Sequence, residues 1–192
     1  MTERPADGSG RPAPERLESE RLRLRRPAAE DADVIFERYA GDPEVTRYLG
    51  WPRHRSVDDT RAFLAFSDSD WERWGAGPYL ILSRSDGGLL GGTGLALESR
   101  DRAATGYVLA RDAWGRGYAT EALRAVVGVA GSIGLRSLYA LCHPEHAVSI
   151  RVLEKCGFAL ESRVAGGYEL PNLAPGEPCD VLRWTLAVGS ER

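Results

Sequence analysis

Apolar positions recur along this chain with two periods, and the change between them separates its segments. Leu17 to Arg25 alternates, with Leu22 and Leu24 flanked by arginines, which predicts a half-buried strand. Pro27 opens a helix over roughly Ala28 to Ala40, with Glu30 and Asp31 in the first turn, where acids favour the helix dipole. Gly41-Asp42-Pro43 ends it, and Val45 to Arg55 reads as an aromatic loop with Tyr48 and Trp51. Ser56, with Asp59 three residues on, caps a second helix over about Val57 to Trp74 that carries Phe63, Leu64, Phe66, Trp71 and Trp74.

From residue 75 the period becomes strand-like. Tyr79 to Arg84 and Leu89 to Glu98 are expected to pair across the turn Ser85-Asp86-Gly87-Gly88. Glycines 91, 92 and 94 suggest a bulge or a close backbone approach. After the polar turn Ser99 to Ala103, Thr105 to Arg111 forms the third strand of the meander. Ala119, Leu123, Val126, Val127, Ala130 and Ile133 then recur at helical spacing. Gly128 and Gly131 cost that helix roughly 1 kcal/mol each relative to alanine, so they imply a close neighbour or an end near Gly134. A short strand over Leu138 to Cys142, a helix over about Ala147 to Cys156 stopped by Gly157, and strands over Phe158 to Val164 and Val181 to Val188 complete the chain. The order β-α-α-β-β-β-α-β-α-β-β predicts a mixed α/β sheet in one domain, without internal repeat or dividing linker.

Composition narrows the function classes. The chain has 192 residues, 43% hydrophobic and 28% charged, with a net charge of −3. That length supports one real core. The acidic balance, with Lys155 the only lysine, argues against a nucleic-acid binder. No apolar run reaches the roughly 18 residues of a membrane span. Residues 1–16 are rich in Pro, Gly, Arg and Glu and lack a signal-peptide core, so a disordered tail and a cytoplasmic location are expected. Cys142, Cys156 and Cys179 are odd in number and unpaired in spacing, against both a disulfide framework and a zinc site.

Candidate chemistry concentrates in Trp114-Gly115-Arg116-Gly117-Tyr118-Ala119-Thr120-Glu121, between a strand and a helix. A glycine turn there aims several N–H groups one way, and the helix dipole adds about half a positive charge, which favours a phosphate or pyrophosphate. Neither GxGxxG nor GxxxxGK[ST] occurs, and two glycines alone fit a plain N-terminal turn as well.

Three blocks in the right order resemble the Gcn-related N-acetyltransferase (GNAT) superfamily over about residues 17–188. They are Gly106-Tyr107-Val108-Leu109, the Trp114 to Ala119 loop, and His143-Pro144-Glu145-His146 followed by Ser149-Ile150-Arg151-Val152-Leu153-Glu154-Lys155-Cys156-Gly157-Phe158. Gly117 and Ala119 match the family motif, while Trp114 stands where relatives have Gln or Arg. Tryptophan there resembles the Rim-type (RimJ/RimL-like) branch, which includes acetyltransferases of ribosomal-protein N-termini.

The resemblance implies an N-acetyltransferase domain whose mixed, mostly antiparallel sheet is flanked by helices, with splayed central strands. It implies acetyl-CoA as co-substrate, no metal, and direct attack by a primary amine. The amides of Gly115, Arg116, Gly117, Tyr118, Ala119 and Thr120 would hold the pyrophosphate. The backbones of Leu109 and Ala110 would hold the pantetheine arm, and an N–H there would polarise the thioester. Arg116 and Arg151 are candidates for the cofactor phosphates, with a solvated helix arginine the alternative for each. Many relatives protonate the leaving thiolate with a tyrosine where this chain has Leu153. Ser149, one turn earlier, is the candidate proton donor, and an ordinary helix serine is the alternative. His146 stands where relatives have an asparagine that contacts the cofactor, and a proton relay or an exposed N-cap are its other readings. Glu98, at the end of a central strand, is the first candidate base, against a plain strand-end carboxylate. Tyr107 is read either as orienting the acceptor amine or as a core tyrosine. Cys142 and Cys156 are read as core residues, and His54 and His143 as loop and strand-end residues.

The acceptor stays open between a protein N-terminal α-amine and a small-molecule amine. Tyr48, Trp51, Trp71 and Trp74 are candidates to line its side. The loop from Gly166 to Cys179, with Tyr168, Glu169 and Glu177 and with Asp180 just beyond, is expected to cover it. The resemblance also carries a homodimer through edge strands. A non-catalytic module that binds acyl-CoA and regulates a partner is the competing reading.

Overall fold

Leu22 and Leu24 are fully buried while the arginines between and beside them reach solvent, so alternation makes β2 (Leu22–Arg25) a half-buried strand as expected. The stretch expected as one strand is two, however. β1 (Arg16–Glu18) turns back at Ser19 to pair antiparallel with β2, with Leu17 opposite Leu24. The computed structural model describes residues 11–189. Residues 1–10 of the expected tail lie outside them, and the remainder is not a tail: Ala13 is buried, its N–H bonds Gly75 C=O, and Pro14 C=O accepts from the Tyr79 hydroxyl.

The helix expected over 28–40 is broken into a 3-10 turn (Ala29–Asp31), α1 (Ala32–Ile35) and a π-helical turn (Phe36–Ala40) closed by the Gly41 N–H on Phe36 C=O. α2 (Pro43–Thr46) is capped by Asp42, which accepts from the N–H groups of Glu44 and Val45. α3 (Val57–Trp74) begins where Asp59 accepts from Arg55 and Ser56 N–H, and it ends at Gly75 in the left-handed region.

β3 (Pro78–Ser83), β4 (Leu89–Leu97) and β5 (Arg102–Leu109) form the expected meander. Leu90 is the extra residue between the Ile81–Gly91 and Leu82–Leu89 pairs. A side chain at Gly91 would lie 2.0 Å from Val108 O, so only glycine lets β4 approach β5 there. α4 (Tyr118–Ser132), β6 (Ser137–Cys142), α5 (Ala147–Lys155), β7 (Ala159–Glu169) and β8 (Pro178–Ala187) follow. The last hairpin is longer than expected, because β7 runs to Glu169 and β8 starts at Pro178, leaving only 170–177 as loop.

The eight strands form one sheet in the order β1-β2-β3-β4-β5-β6-β8-β7. All neighbours are antiparallel except β5 and β6. One apolar cluster buries Leu123 and Val126 of α4 and Leu153 of α5 against Tyr79, Ile81, Leu95, Leu138 and Ala140. On the other face, Ile35, Tyr39 and Leu64 pack on Leu80, with Leu82 and Val108 against them.

Candidate active site

β5 and β6 pair only over Arg102–Ser137, Ala103–Leu138 and Ala104–Tyr139. Beyond that point Thr105 to Leu109 and Ala140 to Cys142 have no ladder between them, so the sheet opens into a gap roughly 16 Å long. Which backbone groups face it follows from antiparallel alternation. Ala110 N–H donates to Leu90 C=O at 2.8 Å, and Gly92 and Gly94 lie opposite Val108 and Gly106. Residues 106, 108 and 110 therefore turn their polar groups toward β4, and Tyr107 and Leu109 turn theirs toward the gap. This corrects one expectation: the Ala110 N–H is already bonded within the sheet, whereas Leu109 N–H faces the open side. Leu109 C=O also accepts from Trp114 Nε1 at 2.8 Å, which ties the strand end to the loop.

The loop has the expected form. Gly115 and Gly117 hold φ of 73° and 79°, a conformation that costs other residues roughly 1–2 kcal/mol. The first bond of α4 runs from Glu121 N–H to Gly117 C=O, so the N–H groups of Tyr118, Ala119 and Thr120 project from the helix end without a partner among the described residues. Glu121 is the one acid in that first turn. Burial pushes its carboxyl up, but bonds from Ser19 Oγ, Arg21 N–H and the Arg21 guanidinium outweigh this and hold it below the usual range. Arg21 also donates to Arg116 C=O at 2.9 Å. Arg21 thus brings a guanidinium to the loop from about a hundred residues away, which no local pattern signalled. The Arg116 and Arg151 side chains are exposed.

Beside the gap lies a half-buried hydroxyl pair, one member on β5 and one on α5. Tyr107 Oη lies 2.9 Å from Ser149 Oγ and 3.1 Å from Ser149 C=O. Burial drives the phenol well above its ordinary pKa, with the Ser149 bond opposing, so Tyr107 stays protonated. When its single proton points to Ser149 Oγ, the serine proton is free for the gap. The Cys142 thiol adjoins them and is also raised by burial, which keeps it protonated and suits the reading of a core residue. Cys156 contacts Thr120 C=O where α5 meets α4.

The mouth of the gap is closed by the loop after α2. Arg111, just past β5, binds Asp42 through two nitrogens at 2.6 and 2.7 Å and also pairs with Glu44. Tyr48 then stacks on His146, with centroids 4.6 Å apart and planes at 23°, and on His143 at 5.2 Å. Asn172, between β7 and β8, accepts from Arg53 N–H and donates to Thr46 and Trp51 C=O. The 170–177 loop is therefore fastened onto the segment that carries Tyr48. Two of the expected acids are engaged locally: Glu169 accepts from Gly176 N–H, and Asp180, just beyond the loop, binds Arg163 and accepts from Gly166 N–H.

Two expectations fail on position. Glu98 lies at the paired end, where its N–H bonds Arg102 C=O and its carboxylate bonds the Tyr139 hydroxyl and pairs with Arg102. That is roughly 16 Å along β5 from Tyr107 and on the opposite face, because Tyr139 alternates with the core residues Leu138 and Ala140. Trp71 stacks edge-on against Tyr79 and donates to Pro78 C=O, and Trp74 sits at the same helix end under Arg73, so neither reaches the mouth. Among the described residues no cluster of three His, Cys, Asp or Glu is placed for a metal, and no helix is long and apolar enough to cross a membrane. A groove of about 830 Å³ follows the outer face of α4 from the Ser19–Arg21 turn to Lys155, touching the loop at Gly117 and Thr120, with no lining residue from β5 or β6.

A strand pair that splays beside a glycine loop opening a helix is the arrangement of a GNAT acetyltransferase. The family profile "Acetyltransferase (GNAT) domain" matches residues 21–159, and the chain belongs to that family. It is 31% identical over 175 residues to the uncharacterized N-acetyltransferase p20 of Bacillus licheniformis, covering 90% of this chain and 96% of that one. Its fold matches the ribosomal-protein α-N-acetyltransferase RimL in complex with coenzyme A at a TM-score of 0.80 and 20% identity, over 90% of this chain and 97% of that one. It also matches spermidine N-acetyltransferase from Vibrio cholerae, in complex with coenzyme A and spermine, at 0.74 and 17%, over 87% and 95%.

Proposed function

We propose that this acetyltransferase moves the acetyl group of acetyl-CoA to a primary amine by direct attack, with the thioester held in the β5–β6 gap. The observation that carries the reading is the set of groups beside the gap: Leu109 N–H, without a hydrogen-bond partner among the described residues, and the half-buried Tyr107–Ser149 hydroxyl pair, with the glycine loop beyond. In this reading the N–H groups of residues 115–120 and Arg21 hold the pyrophosphate. Leu109 N–H receives the carbonyl oxygen as it becomes an oxyanion. Ser149, backed by Tyr107, gives its proton to the leaving thiolate. Arg151 remains a candidate for the cofactor phosphates.

The acceptor is an amine that reaches the Tyr48 side, either a protein α-amine or a small polyamine-like amine. The names of the two structural relatives support both classes. As the outermost strand, β7 offers its backbone edge to a second copy, which supports a homodimer. Leu153, buried where relatives carry a tyrosine, favours the alternative of an acyl-CoA-binding regulatory module. Release of free coenzyme A thiol from acetyl-CoA, measured across peptide α-amines and polyamines, separates the two. Amine-dependent release with a matching acetylated product is expected. Tight acetyl-CoA binding with no release on any amine would establish the module instead.

A further inference from the structure

Loss of Glu98 from the site leaves the acceptor's proton without a destination, since an ammonium has no lone pair with which to attack. Three observations converge on another group. His146 precedes α5 by one residue, so its side chain lies one turn from Ser149 at the mouth of the gap. Its ring is stacked on Tyr48, the residue that the α2 loop brings over that mouth. Among the described residues neither of its ring nitrogens has a hydrogen-bond partner, whereas Nδ1 of neighbouring His143 accepts from Glu145 N–H at 3.2 Å. An imidazole held by its face, with its nitrogen edge free, is set to take a proton from something that enters beside it.

The geometry points to His146 as the general base toward the acceptor ammonium, with Tyr48 as the residue that positions its ring. This rests on the proposed acetyl transfer. One proton passes from R–NH3+ to an imidazole nitrogen of His146. The freed lone pair forms the C–N bond, and the C–S bond breaks with Leu109 N–H on the oxyanion. The thiolate takes the Ser149 proton, and the second nitrogen proton, released as the amide forms, replaces it through the Tyr107–Ser149 pair or water. Imidazolium then returns its proton to solvent. Burial lowers the His146 pKa below the ordinary 6.5, and His143 adds to this, so the ring is neutral at pH 7. The other charged or titratable groups around it are Arg47 over Tyr48, Glu145 in the same turn, and the Cys142 thiol behind it.

The test compares acceptors that must and need not be deprotonated. In His146→Asn, turnover with an alkylammonium acceptor should fall on the order of a hundredfold. Turnover with hydroxylamine, neutral at pH 7, should fall less than about fivefold, and the acetyl-CoA Kd should stay within about twofold. The acidic limb of kcat/KM, which in the wild type lies below pH 6.5, should vanish, and added imidazole should restore part of the rate. Tyr48→Leu, which removes the stacked ring, should lose roughly tenfold with the alkylammonium alone, and the conservative Tyr48→Phe should recover most of that loss. Equal losses with both nucleophiles, an unchanged rate, or a large rise in acetyl-CoA Kd would overturn the assignment while leaving acetyl transfer intact. Absence of turnover by the wild type on every amine would overturn both.

Discussion

The two ends of the β5–β6 pair are built from the same strands and do opposite things. At the paired end three residues of each strand close the ladder, and charged side chains gather there: Glu98 and Arg102 around Tyr139, with Arg183 also over its ring. At the open end the ladder stops, the polar groups of Tyr107 and Leu109 lose strand partners, and the nearby hydroxyls are half-buried. Charge at the open end is confined to the mouth, in the Arg111–Asp42–Glu44 cluster and Arg47. Beside the gap itself Tyr107 is a neutral donor that keeps its proton. A strand-end carboxylate is therefore poor evidence for a base unless the end is the one that opens.

Breaking the open end should have the larger consequences. Gly117→Asp forces a carboxylate into the left-handed position, at roughly 1–2 kcal/mol, and sets it among donors aimed at phosphate. Acetyl-CoA affinity by calorimetry should fall on the order of a hundredfold or more. Ser149→Ala removes the proton for the thiolate. It should lower kcat roughly 10- to 100-fold with little change in KM for acetyl-CoA, and Tyr107→Phe in that background should add much less than it does alone. Asn172→Ala cuts three bonds between the 170–177 loop and the Tyr48 segment, each typically worth about 1 kcal/mol. A several-fold rise in acceptor KM with unchanged acetyl-CoA KM is expected from initial rates. The paired end gives the smallest effect: Glu98→Gln should keep kcat within about twofold and cost at most about 1 kcal/mol, a drop of roughly 2–4 °C in melting temperature. A hundredfold loss of kcat in that variant would reverse the comparison.

Much of the fold was legible because periodicity reports one-sided burial. The α3 and α4 helices, the meander with its 85–88 turn and the glycine close approach in β4 all appear as read. Misreadings occurred where a distant partner decides the local structure. Leu17 to Arg25 alternates like a single strand, but Ser19 and Arg21 are held by Glu121 and the chain turns back. β7 continues past Val164 through two glycines because β8 pairs with it as far as Glu169. In the candidate site, the loop at 114–121 and Ser149 are read from local motifs. Arg21, Asn172 and the meeting of Tyr48 with His146 join segments about a hundred residues apart, and Glu98 was misplaced because sequence does not say which end of a strand pair opens.

A crystal structure with acetyl-CoA tests the central claim most directly. The pyrophosphate is expected on the N–H groups of residues 115–120. The sulfur is expected within about 3.5–4 Å of Ser149 Oγ, and the thioester oxygen about 3 Å from Leu109 N. A cofactor lying in the groove outside α4, with its thioester away from the β5–β6 gap, would contradict it.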